Sequence, residues 1–357
     1  MARRRPSTSS SDGDCEAWAR VFEEELSAVL PDDVDSLRNA LCSLNPLAHS
    51  ALRSVPPPSA EARNHKLMLR RGFENEQYVK RVYVDDAPCS VLLVSFCSLT
   101  QPDDCQFEWA GAARRAARTH TLFLTDPLQA WYLRSSADPD VDPFASTLAV
   151  IVGEIQSLAA PRVVCIGASM GGYAAARCGL ALGALDPARC PTLVSTLVLA
   201  FGPQCFINPS ERVALSLPWM SFDDALDRLA RVASARTHAF PLHSLAALAA
   251  AGAAAASGRA EGAERSHVRL ELHVGSAALG DVREARLLEE SVTMLVDSLA
   301  AETPSRALGV NVDVRVHATA DERSGHCVAA ALKADGLLDG LIASRLDAWD
   351  TACSCAA

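Results

Sequence analysis

The sequence predicts an α/β fold built on a mostly parallel, doubly wound sheet. From residue 77 onward, apolar segments typical of strands alternate with segments typical of helices, which is the pattern of βαβ units. Within that pattern, a Gly-x-Ser-x-Gly pentapeptide stands between an apolar strand and a helix of small residues. The 357-residue chain is 49% hydrophobic, which is enough for one α/β domain of about 250–280 residues with additional segments.

The segments that flank this pattern predict a less regular organisation. Residues 1–14 are expected to be disordered, and apolar residues recur at helical spacing after them. The predicted organisation is a helical extension over 15–76, an α/β domain over 77–345 with an insertion at about 205–265, and a tail over 346–357.

The first half of the domain predicts four strands and two helices. Its early strands are alternating or fully apolar, as expected for a sheet covered by other layers. The predicted strands are Tyr78–Val84, Ser90–Phe96, Thr119–Leu124 and Arg162–Ile166, and the predicted helices are Ala112–Ala117 and Pro143–Leu158.

The second half resumes the same alternation after the insertion. The long interruption at 205–265 stands between two strands, where a lid over a pocket would lie. A flexible insertion without substrate contact explains its alanine-rich part equally well. The predicted elements are the strand Thr192–Phe201, the strand Val268–Val274, the helix Val282–Ala300, the strand Gly309–Val316, a loop over 318–325 and the helix Val328–Ala343.

Charge and cysteine usage narrow the function classes. The net charge is −10, from 33 basic and 43 acidic residues, which makes a nucleic-acid partner unexpected. The 12 cysteines form no C-x-x-C pair, which favours a reducing compartment, with the cytoplasm as the expected location. The basic, Ser/Thr-rich start leaves an organellar transit peptide open, although Asp12 and Asp14 argue against a long one. No apolar run is long enough to predict a membrane span.

The pentapeptide predicts a nucleophile elbow with Ser169 at its tip. Its order of strand, sharp turn and helix is the context in which Gly-x-Ser-x-Gly carries that meaning. A serine on so tight a turn requires neighbours with almost no side chain two positions away, and Gly167 and Gly171 meet that requirement. A chance occurrence of the pentapeptide in a loop is the alternative.

His326 is the predicted base that activates Ser169. It follows the last predicted strand and precedes the last helix, and loops at the carboxyl ends of parallel strands are where such sheets gather a site. A surface-loop histidine is the alternative. The eight competing histidines stand in less suitable positions: His49, His65, His120, His238, His243, His267, His273 and His317.

Asp281 is the predicted carboxylate that orients His326. It follows a predicted strand, and the order Ser, Asp, His along the chain is the expected one. A helix N-cap is a further reading of Asp281, because aspartate favours that position. The rival carboxylates are Glu284, Asp321 and Glu322.

The oxyanion of an acyl-transfer reaction would be held by two backbone amides. The Met170 amide lies at the predicted start of the elbow helix, and the Cys97 amide lies just past a predicted strand. Phe96 is the near alternative to Cys97 as donor, and it is also a candidate substrate contact.

Three further residues are candidates for the pocket. Gln204 follows a predicted strand and either contacts substrate or satisfies local backbone groups. Trp131 and Tyr132 either line the pocket or belong to the core.

These features together resemble the α/β-hydrolase superfamily over about residues 77–345. The matching pieces are the elbow from Gly167 to Gly172, Asp281 after a strand, and Gly325-His326 before the last helix. The segments 124–132 and 201–204 are also similar to poorly characterised, mostly bacterial members, some of which occur beside glycan-processing or acyl-transfer domains. The resemblance implies an esterase-type Ser-His-acid mechanism, in a superfamily that also includes acyltransferases, peptidases and members without catalysis.

The sequence therefore predicts a serine hydrolase that acts on a carboxylic ester or thioester of a small-molecule or acylated substrate. Ser169 is the expected nucleophile, and no metal or organic cofactor is required. An acyltransferase with a sugar or other hydroxyl acceptor and a non-catalytic binding module on the same fold are the alternatives. The sequence indicates neither the oligomeric state nor the acyl group.

Overall fold

The structure is a computed structural model of the chain. It describes residues 67–74, 77–84, 91–98, 109, 119–126, 131–132, 143–185, 190–207, 212, 215–217, 245, 248–249, 267–302 and 309–351. The predicted disordered start, most of the helical extension, the helix Ala112–Ala117, most of the insertion and the end of the tail lie outside these residues. The domain boundaries therefore stay predictions.

Eight strands form a single sheet in the order β1-β2-β4-β3-β5-β6-β7-β8. Strand β2 pairs antiparallel with both β1 and β4, whereas the six strands from β4 to β8 are all parallel. The strands are β1 (Leu67–Glu74), β2 (Gln77–Val84), β3 (Val91–Phe96), β4 (His120–Thr125), β5 (Arg162–Ala168), β6 (Ser195–Phe201), β7 (His267–Gly275) and β8 (Val310–His317).

Six helices connect or follow these strands in the described part of the chain. They are α1 (Pro143–Leu158), α2 (Met170–Ala184), α3 (Leu279–Glu302), α4 (Glu322–His326), α5 (Val328–Ala334) and α6 (Leu338–Thr351). None of the helices described here combines the length and the hydropathy that a membrane span needs.

Apolar cores cover both faces of the sheet. Every residue of β3 and β6 is buried, and alternate residues of β3 and β5 point to opposite faces, as a pleated strand requires. One core joins Leu92 and Val163 to side chains of α1, α2 and α3, and the other joins Leu93 and Val164 to side chains of α5 and α6. The predicted fold class, a mostly parallel doubly wound α/β sheet, is confirmed.

The main differences from the sequence prediction concern four elements, and β6 also begins three residues later than predicted. Residues 67–74 form β1 within the segment expected to be helical. The helix expected to begin at Val282 begins at Leu279, so Asp281 lies in its first turn and is not its N-cap. The expected loop over 318–325 contains the short helix α4, which Asp321 caps. The single final helix is divided into α5 and α6 by Gly336, whose positive φ of 72° ends a helix at little cost.

Candidate active site

Ser169 lies at the tip of a sharp turn between β5 and α2. Its φ of 50° and ψ of −120° are strained for a residue with a side chain. A Cβ on Gly167 would lie 2.1 Å from the carbonyl oxygen of Gly171, and a Cβ on Gly171 would lie 2.6 Å from that of Phe96. The absence of side chains at these two positions therefore permits the turn, for the reason the sequence suggested. The Ser169 side chain makes no capping bond to α2, so its hydroxyl is available to other partners.

The structure brings Ser169, His326 and Asp281 into one chain of hydrogen bonds. Ser169 Oγ lies 3.1 Å from His326 Nε2, and His326 Nδ1 lies 2.8 Å from Asp281 Oδ2. A neutral His326 with its proton on Nδ1 donates to the Asp281 carboxylate and accepts from the Ser169 hydroxyl. This is the arrangement that makes a serine hydroxyl nucleophilic.

Close backbone packing joins the elements that carry His326 and Asp281. A Cβ on Gly275, at the end of β7, would lie 2.3 Å from the Cα of Gly325. A Cβ on Gly202, just past β6, would lie 2.3 Å from the carbonyl oxygen of His326. The segment before His326 thus packs directly on the ends of β6 and β7, next to the first turn of α3.

The surroundings of His326 favour its protonated form. The hydrogen bond that His326 Nδ1 donates to Asp281 raises the pKa of His326 above its usual 6.5, burial opposes that effect, and the charges of Asp281 and Glu284 add to it. The Asp281 side chain is only 2% exposed, whereas that of His326 is 27% exposed. A shielded carboxylate beside a partly accessible imidazole suits a base that accepts and returns a proton.

Glu284 and Asp321 have other partners, and Glu322 is exposed. Glu284 is buried and forms an ion pair with Arg212 at 2.6 Å. Asp321 is exposed and accepts a hydrogen bond from the Ser324 amide as the cap of α4. Glu322 is exposed in the first turn of α4. Asp281 is the candidate that contacts His326.

Two of the competing histidines form a pair outside this chain of hydrogen bonds. His273 Nδ1 lies 2.9 Å from His317 Nε2, and the His273 ring stacks on Phe201. Burial, together with His273 and Arg315, lowers the pKa of His317. Both rings belong to the packing between β6, β7 and β8.

The two predicted oxyanion donors differ in whether their amides already have hydrogen-bond acceptors. The Met170 amide opens α2 directly after Ser169, where the first amides of a helix have no acceptor one turn earlier. The Cys97 amide does not fit its predicted role, because it donates to the Leu124 carbonyl at 3.0 Å and lies 3.0 Å from the Tyr132 hydroxyl. Phe96 does not fit substrate contact, because its side chain is fully buried with its ring edge-on to Tyr132.

Gln204 contacts the candidate nucleophile directly. Its Nε2 donates to Ser169 Oγ at 2.9 Å, and its Oε1 accepts from the Trp131 indole at 3.0 Å. The sequence singled out both residues but not their contact, because no local pattern links residues 73 positions apart. The sequence signal that made both residues candidates for the pocket is their position shortly after β6 and β4.

A buried ion pair anchors the segment that carries Gln204. Glu284 Oε2 accepts from the amides of Cys205 and Phe206 at 3.0 and 3.4 Å, while Arg212 bonds to Glu284 and to the Phe206 carbonyl. Burial raises the pKa of Glu284, and the Arg212 charge opposes this effect. The sequence offered Glu284 as a rival acid, and the structure gives it this supporting position.

The site consists of protein groups suited to acyl transfer. Across the described residues, no cluster of three or more histidine, cysteine, aspartate or glutamate side chains is arranged to hold a metal ion.

Comparisons with known proteins give a likeness of overall shape. No protein-family model and no curated protein sequence matches the chain. Similar solved structures include a hormone-sensitive lipase from a metagenome library, with 13% identity and a TM-score of 0.49 over 88% of this chain and 97% of that one. Esterase B from Lactobacillus rhamnosis has 9% identity and a TM-score of 0.48, over 89% and 97%.

A capsule O-acetyltransferase of Neisseria meningitidis serogroup A has 11% identity and a TM-score of 0.44, over 78% of this chain and 97% of that one. The strand order, the two helical layers and the elbow directly after β5 give the chain the α/β-hydrolase fold that the sequence predicts.

Proposed function

We propose that the protein is a serine hydrolase that cleaves a carboxylic ester or thioester through an acyl-enzyme on Ser169. The observation that carries the proposal is the unbroken chain of hydrogen bonds from Ser169 Oγ through the His326 ring to Asp281, at 3.1 and 2.8 Å. A binding module that had lost catalysis has no need of a serine held in strained backbone geometry against a base.

In the first half of the reaction, Ser169 Oγ forms a bond to the carbonyl carbon while its proton passes to His326 Nε2. The carbonyl π electrons move onto the oxygen, and the Met170 amide at the start of α2 donates to that oxyanion. When the tetrahedral intermediate collapses, the bond to the alcohol or thiol breaks, and the leaving group takes the proton from His326.

In the second half, water replaces the leaving group. His326 accepts a proton from the water as its oxygen attacks the acyl carbon, and the proton returns to Ser169 Oγ when the acid departs. Asp281 keeps the ring in the required tautomer and stabilises the imidazolium form throughout. An acyltransferase would follow the same steps with a hydroxyl acceptor in place of water.

Hydrolysis of p-nitrophenyl acetate, butyrate and octanoate by the full chain tests the proposal. We expect the native protein to release p-nitrophenol, and Ser169→Ala to lose roughly 10⁵–10⁶ of kcat. Ser344→Ala is the matched control, because this exposed hydroxyl bonds to the Leu341 carbonyl on α6 and leaves the rate unchanged. A native rate no higher than that of Ser169→Ala would contradict the proposal, and ester formed with added glycerol or glucose would identify a transferase.

A further inference from the structure

We propose that the side-chain amide of Gln204 is the second donor of the oxyanion hole, and that Trp131 fixes its orientation. This inference rests on the proposed function of Ser169 as the nucleophile. In this proposal, Gln204 takes the donor role that the sequence predicted for the Cys97 amide. Gln204 follows β6, whereas Cys97 follows β3, and these two strands flank β5 in the sheet.

The position of Gln204 suits a donor to the reacting carbonyl. Its Nε2 lies 2.9 Å from Ser169 Oγ. In the tetrahedral intermediate, the oxyanion is attached to the carbon that Oγ attacks, only two bonds from Oγ. A donor already in contact with Oγ therefore needs only a small displacement to reach the oxyanion. Among the described residues, Ser169 Oγ is the one acceptor that Nε2 contacts. The second N–H of this amide is the group that we assign to the substrate oxygen.

The orientation of the Gln204 amide follows from its other partner. An indole N–H is a donor only, so the atom that accepts from Trp131 Nε1 must be the carbonyl oxygen of Gln204. The NH₂ end then faces Ser169, which must accept from it and pass its own hydroxyl proton toward His326. The Gln204 oxygen and nitrogen are therefore assigned by their partners and cannot be exchanged. Each donor from Trp131 to Asp281 then faces an acceptor.

The segment carrying Gln204 is buried and held by hydrogen bonds on both sides of this residue. Gln204 is 1% exposed, and the two amides that follow it donate to the buried carboxylate of Glu284. On its other side, the Gly202 amide donates to the His273 carbonyl at 2.7 Å, with a φ of 52° that suits glycine. A side-chain donor can stabilise a developing charge efficiently only if it is held in place beforehand, and these contacts meet that condition.

The strained turn that holds Trp131 also removes the Cys97 amide from the site. Trp131 and Tyr132 have φ values of 52° and 58°, a left-handed backbone that is unusual for bulky residues. Asp126 Oδ2 supports this turn by accepting from the Tyr132 amide at 2.8 Å. The Tyr132 hydroxyl lies against the Cys97 amide while the neighbouring indole reaches Gln204. Strain of this kind is retained where it positions a functional group.

Kinetics of Gln204→Leu and Trp131→Phe with p-nitrophenyl butyrate test the inference. We expect Gln204→Leu to lower kcat by about 10²–10³ with little change in KM, which is the usual effect of removing one oxyanion donor. Trp131→Phe removes the indole N–H but keeps an aromatic ring, and should lower kcat by a smaller factor, about tenfold. The double variant should be no slower than Gln204→Leu alone, because Trp131 acts through Gln204. The exposed Gln156→Leu on α1 is the matched control and keeps the native rate.

Affinity for butylboronic acid separates this role from a structural one. The tetrahedral boronate on Ser169 imitates the oxyanion, so its affinity should fall in Gln204→Leu by about the same factor as kcat/KM. Thermal unfolding shows whether each variant is folded, and Trp131→Phe keeps the test valid if Gln204→Leu does not fold.

A folded Gln204→Leu with kcat and boronate affinity within about threefold of native would overturn the inference while leaving the proposed function intact. Additive effects of the two substitutions would also overturn it. A native protein that neither hydrolyses the ester nor binds the boronate would overturn both proposals.

Discussion

At the scale of single residues, the candidate site is centred on the Ser169 hydroxyl and the His326 imidazole, whose Oγ and Nε2 atoms lie 3.1 Å apart. Ser169 accepts from Gln204 and faces His326, while His326 is held from behind by Asp281 at 2.8 Å. Each contact specifies the direction of the next, because an indole only donates and a carboxylate only accepts. The donor and acceptor roles in this chain of contacts are therefore fixed from Trp131 to Asp281.

The pH dependence of kcat/KM should report His326. Its pKa is raised above 6.5, chiefly by the hydrogen bond to Asp281, and only the neutral ring can accept the Ser169 proton. We expect the rate to fall as the pH drops through a value above 6.5. In Asp281→Asn the main cause of the raised pKa is lost while burial remains, so this inflection should move to lower pH, and the rate should fall by roughly 10³–10⁴.

The exposed Glu322→Gln is the control for that measurement. This rival carboxylate lies in α4 four residues before His326, and its removal should leave both the rate and the inflection unchanged. If the inflection of Asp281→Asn stays at the native pH, Asp281 does not set the pKa of His326.

Sequence reasoning located the residues whose signals are local or follow strand order. Ser169 stands in its own pentapeptide, and the order of strands places Asp281 and His326 at the same edge of the sheet. The sequence does not predict that the Cys97 amide already has hydrogen-bond acceptors, because these are the Leu124 carbonyl of β4 and the Tyr132 hydroxyl, which only the fold brings near it. The hydrogen bond from Trp131 to Gln204 is unpredictable from the sequence for the same reason.

At the scale of elements, the elbow depends on the close approach of α2 to β3. A Cβ on Gly171 would lie 2.6 Å from the Phe96 oxygen and 2.8 Å from the Cys97 oxygen, both of them backbone atoms. A flexible side chain can move away from such a contact, but two strand-end carbonyls that are fixed in the sheet cannot.

Gly171→Ala should therefore lower the free energy of unfolding by about 1–3 kcal/mol, despite the higher helix propensity of alanine. Gly340→Ala is the matched control, because a Cβ on this exposed residue of α6 meets nothing within 4 Å. That substitution should raise the free energy of unfolding by about 0.5–1 kcal/mol. Urea denaturation of both variants checks the difference, and equal effects would mean that the elbow does not need Gly171.

Elements were predictable where their pattern is strong. The helix Pro143–Leu158 has the predicted bounds, and β3 and β5 begin within one residue of them. Strand β1 was missed because Leu67–Glu74 has three apolar residues in succession and then two arginines, without the alternation of a typical strand. The break between α5 and α6 was missed although Asp335-Gly336 is a recognisable helix end.

At the scale of the whole molecule, a buried carboxylate links the sheet to its last helix. Glu271 of β7 is fully buried, and it forms ion pairs with Arg345 of α6 at 2.8 Å and with Arg269 at 2.9 Å. Burial alone would raise the pKa of Glu271, but the His273 ring at 3.5 Å, the hydrogen bond from Arg345 and the charges of both arginines lower it to about 2. The ionised form of Glu271 thus stabilises the folded state.

This link should appear in the acid stability of the protein. An unfolded glutamate has a pKa near 4.5, so the contribution of Glu271 is complete above that pH and is lost as the pH falls toward 2. The difference in unfolding free energy between the native protein and Glu271→Gln should shrink by on the order of 2–3 kcal/mol over this interval. Urea titrations at stepped pH measure it, and a difference that does not vary with pH would show that Glu271 titrates normally.

The class of fold was predictable because the alternation of strands and helices extends over most of the domain. The insertion at about 205–265 lies mostly outside the described residues, so its role as a lid stays a prediction. The sequence predicts neither the acyl nor the alcohol group of a substrate, because the proposed roles of Ser169, His326 and Asp281 concern the carbonyl and not the groups attached to it.

Labelling with a fluorophosphonate probe tests the central claim most directly, because the probe reacts with a serine whose proton is taken by a base. We predict covalent labelling of the native protein, mapped to the peptide containing Ser169 by mass spectrometry, and loss of labelling in Ser169→Ala and in His326→Ala. Labelling that persists in Ser169→Ala, or a folded native protein that does not react, would contradict the assignment of Ser169 as an activated nucleophile.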